Sequence, residues 1–486
     1  MSRALFWQDD RVKIVIVGGG ITGLSAAHFL RKRGLDATVL EGSGRLGGNI
    51  RTERADGFVM DAGPDSWVSQ KPQATALARE IGLGDRLIGT LPSAKRVYVV
   101  KDGELVPMPD GLVLGVPTRF SSMATTSLFS LGGKLRMGLE YFVPRRKEDG
   151  DESVGAFLRR RLGHECTDVI AGPLLGGIFS GDVDELSLKA TFPQLIEAEQ
   201  KHGSLIRSML ARKRAAAAAP NPQGGNTSTF TSLVGGLGEL VDALAKTLPD
   251  VRLGELVTSV EREGARYRLH TEKGSLEADQ VLFAGRTQTP GKLLAPLDAE
   301  AGERLAAVRY SSAATAFFAC NPSAFPRPLD GSGFIIPRTA GRRIRAGTWV
   351  SSKWEGRAPE GKLLVRVFFS GREAEDASDA ELATIAQEEL TSLMGFDPAG
   401  VLFSRVFRLR GASPQPTLGH LDRVDAIRAR LAKALPGIHV AGQAYDGASI
   451  PDCVRQAETA AKAIAAAAPK VEASAAGPGA VATPAG

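Results

Sequence analysis

Residues 12–23, Val12-Lys13-Ile14-Val15-Ile16-Val17-Gly18-Gly19-Gly20-Ile21-Thr22-Gly23, constrain the fold more than any other stretch of the chain. An apolar, β-branched run enters a glycine cluster, and the small, helix-compatible Leu24-Ser25-Ala26-Ala27-His28-Phe29-Leu30 follows. That order reads as strand, tight turn, helix. Gly18, Gly20 and Gly23 stand in the pattern G-x-G-x-x-G. The first permits the turn, the second leaves room for a pyrophosphate against the backbone, and the third lets the helix pack closely on the strand. The helix N-terminus, with Ile21 and Thr22 in its first turn, offers N–H groups and a positive dipole end to the phosphates. In a chain with 56 glycines the pattern alone carries little weight. Its context adds to it. Gly34 ends the helix, Ala37-Thr38-Val39-Leu40 reads as a second strand, and Glu41 closes that strand. A carboxylate there can take both ribose hydroxyls of an adenosine and would repel a 2′-phosphate, which disfavours NADP. The alternative for Glu41 is a solvated strand end.

The next segment, Gly42-Ser43-Gly44-Arg45-Leu46-Gly47-Gly48-Asn49-Ile50-Arg51, supplies a basic residue and a further backbone-rich turn. Gly57-Phe58-Val59-Met60-Asp61-Ala62-Gly63-Pro64 comes after it. A coenzyme held along its length needs several close backbone approaches, and a diffusing nicotinamide needs fewer. The R-x-G-G segment at Arg45–Gly48 resembles that of the flavin amine oxidase and protoporphyrinogen oxidase superfamily. The resemblance implies FAD as the cofactor.

With 486 residues and 43% hydrophobic content, the chain can bury a large core and is expected to form two or more domains. The formal charge of +6 weakly favours an anionic substrate or surface and is no nucleic-acid signature. Cys166, Cys320 and Cys453 are far apart and odd in number, which fits buried thiols in a reducing compartment better than a disulfide framework. The six histidines show no metal-ligand grouping, so no metal is expected. Neither a cleavable apolar leader nor an uncharged spanning run stands out, so a cytoplasmic protein is expected, with peripheral contact at the inner face of the cell membrane compatible but not required.

Along the chain, residues 73–82 read as a helix, and Val97–Val100 with Glu104–Val106 as a hairpin about Asp102-Gly103. Residues 111–165 change to several apolar helices interleaved with Arg119, Lys134, Arg136, Arg145, Arg146, Lys147 and Arg159-Arg160-Arg161. This is either a helical domain with a solvated basic face or a membrane-facing or partner-facing lobe. The run Ile170–Asp184 mixes small residues with Leu, Ile and Phe, which suits a wall for a flat apolar ligand or tightly packed helix ends equally. Residues 211–225 suggest an exposed excursion. Val251–Leu253, Leu256–Val260, Tyr267–His270 and Asp279–Ala284 read as strands returning to the nucleotide sheet, with Val257 offering backbone bonds to adenine. Residues 311–369 are strand-rich, 373–389 and 421–435 helical. Ile438–Gln443 returns to strand and glycine, and Cys453–Ala466 reads as a helix whose N-terminus meets pyrophosphate or flavin. The tail beyond residue 466 is Ala-, Gly- and Pro-rich and expected to be disordered.

A narrower resemblance spans residues 12–466. Gly63-Pro64-Asp65-Ser66, Phe129–Lys134, Pro173–Asp182, Thr191–Gln194, Glu199–His202 and Gly447–Cys453 are similar to the HemY-type protoporphyrinogen/coproporphyrinogen oxidases of haem synthesis. The resemblance implies an oxygen-dependent FAD enzyme that removes six electrons from a porphyrinogen in three steps and yields hydrogen peroxide. It is closest to the soluble branch that oxidises coproporphyrinogen III, with protoporphyrinogen IX oxidation or another flavin oxidase acting on amines or polyenes as alternatives. The isoalloxazine would accept electrons while the protein aligns a meso C–H with N5. No side chain stands out as an obligatory base, and none is assigned as catalytic.

By resemblance the FAD site comprises Gly18, Gly20, Ile21, Thr22, Gly23, Glu41, Gly42, Arg45, Leu46, Gly47, Gly48, Asn49, Gly63, Pro64, Val257, Gly442, Ile450 and Pro451. Candidate substrate residues are Asp65, Lys71, Gly172, Gly176, Phe334, Ile336 and Arg338, with Lys71 and Arg338 as partners for propionates. Asp65 cannot attract a carboxylate and would act through its backbone or through pyrrole NH groups. Molecular oxygen is the co-substrate implied, and contacts with other haem-pathway enzymes are compatible with the family. The expected class is α/β, in an α+β multi-domain arrangement. Segments 11–90, 226–310 and 430–468 form a discontinuous Rossmann-like FAD-binding domain. Segments 91–110, 195–225 and 311–429 form a mixed-sheet substrate domain, residues 111–194 a helical lobe and 469–486 a disordered tail.

Overall fold

Strand Ile14–Val17 is buried along its whole length, Ile14 and Ile16 in one core and Val15 and Val17 in another. A strand covered on both faces is what a parallel sheet demands, because its crossovers lay helices on both sides. In the computed structural model, which describes residues 12–467 apart from 114, 118–119, 149 and 219–227, this strand is the centre of a five-stranded parallel sheet. The spatial order is 251–253, 38–41, 14–17, 280–283 and 438–440, so three distant parts of the chain build one sheet. Helices Ile21–Arg31, Gly238–Lys246 and Ile450–Ala467 cover one face.

The segments 256–260 and 267–270 do not join that sheet, contrary to the sequence expectation. Val257–Glu263, Arg266–Thr271 and Gly274–Ala278 form their own antiparallel meander on its other face. The reason is connection length: short turns join antiparallel neighbours, whereas a parallel return needs a crossover of roughly a dozen residues. A second feature passed over in the sequence is the hairpin Thr52–Ala55/Phe58–Asp61. Its turn is Asp56-Gly57 with φ of +49° and +80°, the dipeptide that two-residue hairpins favour.

The second sheet has seven strands, ordered 401–414, 310–320, 363–370, 346–349, 333–335, 97–101 and 104–107. It is antiparallel except where Gly333–Ile335 runs parallel to Val97–Lys101. The 97–107 hairpin turns at Asp102-Gly103, as the sequence suggests. One face packs on helix Asp379–Met394, whose capping box joins Ser378 and Glu381. The other face meets the 52–61 hairpin through Phe58, Met60, Phe317, Trp354 and Phe407.

The helical lobe has a separate core. Phe157, Leu158 and Leu175 share it with Leu195, Ala198, Leu205 and Ile206. Residues 195–210 therefore pack into the lobe core, whereas the sequence grouped them with the mixed-sheet substrate domain. Residues 211–218 of the expected excursion are helical instead, because helix Leu205–Ala218 continues through its alanines, the strongest helix formers. Arg119, residues 219–225 and the tail from 469 lie outside the described residues. Beneath the lobe, the fully buried Arg161 and Glu140 form an ion pair. Glu140 also accepts from Ser204 Oγ at 2.6 Å and from the backbone N–H groups of Leu205 and Ile206 at 2.8 and 3.0 Å, capping the helix that follows.

All three cysteines are unpaired and buried. Burial pushes each thiol up to about 12. A thiol-specific reagent at about pH 8 should label none of them in the native protein and all of them after unfolding. Rapid labelling of the native chain would contradict this packing. No helix of the described residues is long and apolar enough to cross a membrane.

Candidate functional site

The glycine turn behaves as its spacing predicts. Gly18 adopts φ +118°, which only glycine tolerates freely, and its N–H donates to the Leu40 carbonyl at 2.8 Å. A Cβ on Gly23 would lie 2.0 Å from the Gly18 carbonyl oxygen. Around Gly20, by contrast, no atom lies within 4 Å of where a Cβ would be. The Leu24 N–H donates to the Gly20 carbonyl, so the first-turn N–H groups of Ile21, Thr22 and Gly23 face that space without intrahelical partners.

Glu41 ends its strand directly behind the turn. Its carboxylate accepts from the Gly19 N–H at 2.8 Å and the Ser43 N–H at 2.9 Å. Gly42 lies against Leu256, whose Cδ1 would be 2.8 Å from an added Cβ. The Val257 side chain is buried beneath the meander, and Leu256 beside it is half exposed over Gly42. Leu256 escaped sequence reasoning; the only signal was a lone leucine before a strand.

A second loop docks on the first. The Gly47 N–H donates to the Gly19 carbonyl at 2.8 Å, and Gly20 and Gly47 form a parallel bridge. Leu46 touches Gly19. The Arg45 guanidinium turns inward on its own loop, donating to the carbonyls of Leu46, Gly48 and Ile50. It organises the R-x-G-G turn from an exposed position. Asn49 then links the loop to the C-terminal segment, donating to Gln443 Oε1 at 3.0 Å and the Ala412 carbonyl at 2.9 Å. Gly63 packs so tightly on Asn49 that a Cβ would meet its carbonyl oxygen at 2.0 Å. Gly442, at φ +136°, would place a Cβ 3.7 Å from Thr22 Oγ1. The closing helix begins at Ile450, not Cys453, because Ser449 and Asp452 cap each other. Pro451 sits in its first turn, where a missing N–H costs nothing. The structure therefore gathers the dispersed glycines into one continuous cradle, open over Gly20.

The Gly63-Pro64-Asp65 turn is clamped by charges that the sequence reading missed. Arg366, buried, donates to the Ala62 and Gly63 carbonyls at 2.9 and 2.7 Å. Burial lowers its pKa to about 10, partly offset by Asp65 and Asp61, so it stays cationic at neutral pH. Asp65 accepts from Lys353 Nζ at 2.9 Å and Trp354 Nε1 at 3.1 Å. Burial opposes its charge, but Lys353 and Arg366 override it and hold the carboxyl well below the usual range. A single arginine inside the apolar strand Leu363–Ser370 was the available signal.

The remaining candidates are scattered in ways that need correction. Gly172 and Gly176 face Thr167, Gly181 and Val183 inside the lobe, so their smallness serves packing. The exposed side chain of that helix is Ile178. Phe334 and Ile336 lie in the core beneath the second sheet, because alternate residues of a strand face opposite ways. Ile335 faces the other side, where it, Leu174 and Ala448 fringe the lobe core. At that fringe the helical wall, the second sheet and the C-terminal loop of the cradle meet. Arg338 pairs with Asp182 at 2.9 Å. Lys71 Nζ donates to both oxygens of Asp452 at 2.8 and 2.7 Å, joining residues 381 positions apart. Among the described residues no group of His, Cys, Asp and Glu side chains could hold a metal ion.

With the geometry in view, known proteins supply a comparison. The family model described as flavin-containing amine oxidoreductase matches residues 21–465. The chain is 34% identical to the coproporphyrinogen III oxidase of Bacillus subtilis over 93% of this chain and 97% of that one. It is 30% identical to the chloroplastic protoporphyrinogen oxidase 1 of Arabidopsis thaliana over 91% and 86%. A crystal structure from Exiguobacterium sp. 255-15, provisionally assigned as a protoporphyrinogen oxidase, superposes with a TM-score of 0.83 at 33% identity, covering 94% of this chain and 99% of that one.

Proposed function

Since this chain belongs to the flavin-containing amine oxidoreductase family, we propose that it binds FAD and oxidises coproporphyrinogen III to coproporphyrin III. The observation that carries the reading is the cradle built on Gly18–Gly23, Glu41 and Gly47–Asn49, which is open over Gly20. That cradle suits a dinucleotide. The full-length similarity to coproporphyrinogen oxidases supports the same reading.

The residues present fit FAD. The Glu41 carboxylate can exchange its two backbone N–H partners for a ribose diol, and the open space over Gly20 can admit a pyrophosphate to the free first-turn N–H groups. FAD bound there supplies the two-electron acceptor, which molecular oxygen restores with release of hydrogen peroxide. The protein's share of the chemistry is placement. Arg366 and Lys353 hold the Gly63–Asp65 turn rigid. No acid or base is assigned to a side chain. Over three rounds the substrate loses six electrons with their protons, and each round reduces one dioxygen.

Lys71 is half exposed, whereas Asp452 is held by its cap, so the lysine can swing to a substrate carboxylate. Replacing Lys71 by Met should raise KM about fivefold with kcat nearly unchanged, as for an exposed charge pair. Asp452→Asn, which frees the lysine, should not raise KM. Steady-state kinetics that give Lys71→Met a normal KM would remove the propionate role.

Protoporphyrinogen IX oxidation is the second reading, favoured by the Arabidopsis relative. Aerobic assays on both porphyrinogens, followed by porphyrin fluorescence, separate the two. A higher kcat/KM for coproporphyrinogen III is expected. Preference for protoporphyrinogen IX would overturn the assignment while keeping the family.

A further inference from the structure

Four of the side-chain polar atoms buried without a hydrogen bond belong to three residues at one place. They are Asp61 Oδ2, Nε and Nη1 of Arg357, and Arg366 Nε. Asp61, Arg357 and Arg366 are 4, 1 and 4% exposed, so bulk solvent does not serve these atoms. The Arg357–Asp61 ion pair closes to 2.9 Å, yet it leaves all four without a hydrogen bond. Charged groups rarely stay buried in that condition, because each keeps the desolvation cost of its unused site. The three residues line one cavity of about 10 Å³, beside Asp65 and Val350. That is about the smallest space that admits a water molecule, which needs two to four polar partners.

The chemistry of the set selects its ligand. It holds three donor nitrogens and one acceptor oxygen. A ligand that only donates, such as ammonium, is repelled by the two guanidinium groups. One that only accepts, such as chloride, would lie against the carboxylates of Asp61 and Asp65. Water accepts from the arginines and donates to Asp61 at once.

The cavity also stands at a joint. Asp61 accepts from the Leu237 N–H at 2.9 Å, just ahead of helix Gly238–Lys246, whose Val241 packs on Gly47. Arg357 Nη2 donates to Ser232 Oγ and the Leu233 carbonyl at 2.8 and 3.0 Å. Arg366 reaches the Ala62 and Gly63 carbonyls from the second sheet. Segments 59–63, 232–238 and 350–366 therefore converge on the same few atoms.

We propose that this cavity is the binding site of one internal water, and that Arg357 is a positioning residue for the Gly63–Asp65 turn through it. The water accepts from Arg357 and Arg366 and donates to Asp61 Oδ2, so it closes the clamp that Arg366 and Lys353 begin. The inference is independent of which porphyrinogen the enzyme oxidises.

The test is a high-resolution crystal structure of the full chain, joined to amide hydrogen exchange of the same protein. Wild type should show one water at about 2.7–3.2 Å from Arg366 Nε and Asp61 Oδ2. Val350→Ile adds a methyl group to the cavity wall and should displace that water. Amides in peptide 59–66 should then exchange about tenfold faster, while those of the 257–278 meander keep their wild-type rates. Val350→Ala removes bulk at the same position and should keep both the water and the slow exchange, which separates hydration from packing. Arg357→Met should lose the water and speed the same peptide. A wild-type crystal with no water there would overturn the proposal, and so would a bromide peak in the cavity after soaking in sodium bromide, which would assign the site to an anion. Val350→Ile that loses the water yet exchanges as wild type, or Val350→Ala that exchanges as fast as Val350→Ile, would overturn the positioning role.

Discussion

Gly23→Ala is expected to purify as a colourless protein. Its new methyl carbon would sit 2.0 Å from the Gly18 carbonyl oxygen and 3.2 Å from Ile16 Cγ2, so the helix must lift off the strand. Lifting it displaces the first-turn N–H groups from the space over Gly20, and the free energy they contribute to a bound pyrophosphate is lost with the geometry. We expect flavin absorbance per protein to fall at least about tenfold, with a lower unfolding midpoint because overpacking a tight contact costs about 1–3 kcal/mol. Gly20→Ala separates the two effects. Gly20 already has φ −77° and an unobstructed Cβ position, so its variant should fold normally yet fill part of the pyrophosphate space. A yellow, fully loaded Gly23→Ala protein would refute the cradle.

Glu140→Ala should be the most destabilising single change in the lobe. It leaves Arg161 buried without its carboxylate, and it uncaps the N–H groups of Leu205 and Ile206. Removing one member of a buried pair costs about 3–5 kcal/mol, because the survivor keeps its desolvation penalty and loses its partner. Arg161 retains the carbonyls of Val143, Pro144 and Gly203 and the more distant Glu199, which places the loss toward the lower end of that range. Replacing both residues, Glu140→Ala with Arg161→Met, should recover part of the loss, since no uncompensated charge remains. Urea unfolding of the three proteins measures this. A Glu140→Ala loss below about 1 kcal/mol would show that the pair is incidental.

How much of the molecule was legible in advance depended on the range of the signal. The Gly18–Gly23 turn, the Glu41 strand end and the Asp102-Gly103 hairpin are local, set by backbone conformations that neighbouring residues dictate, and they were read correctly. The Asp56-Gly57 hairpin was equally local and was passed over. The strands at 256–260 and 267–270 were assigned to the wrong sheet because an alternating strand does not say which partner it will find. Likewise the glycines at 172 and 176 looked like a ligand wall, and only their contacts with Gly181 and Val183 show that they face inward.

By itself the sequence determined that a dinucleotide turn opens the chain and that the intervening stretches resemble porphyrinogen oxidases. Both are carried by short ordered strings of residue types. Only the tertiary structure decided which side of strand 333–335 faces the lobe, that Lys71 rests on Asp452, and that Arg366 and Lys353 support the Gly63–Asp65 turn. It alone also separated the buried Glu140 from its exposed apolar neighbours. These are contacts between residues tens to hundreds of positions apart. They follow from how the sheets and lobe pack, and no local propensity encodes them.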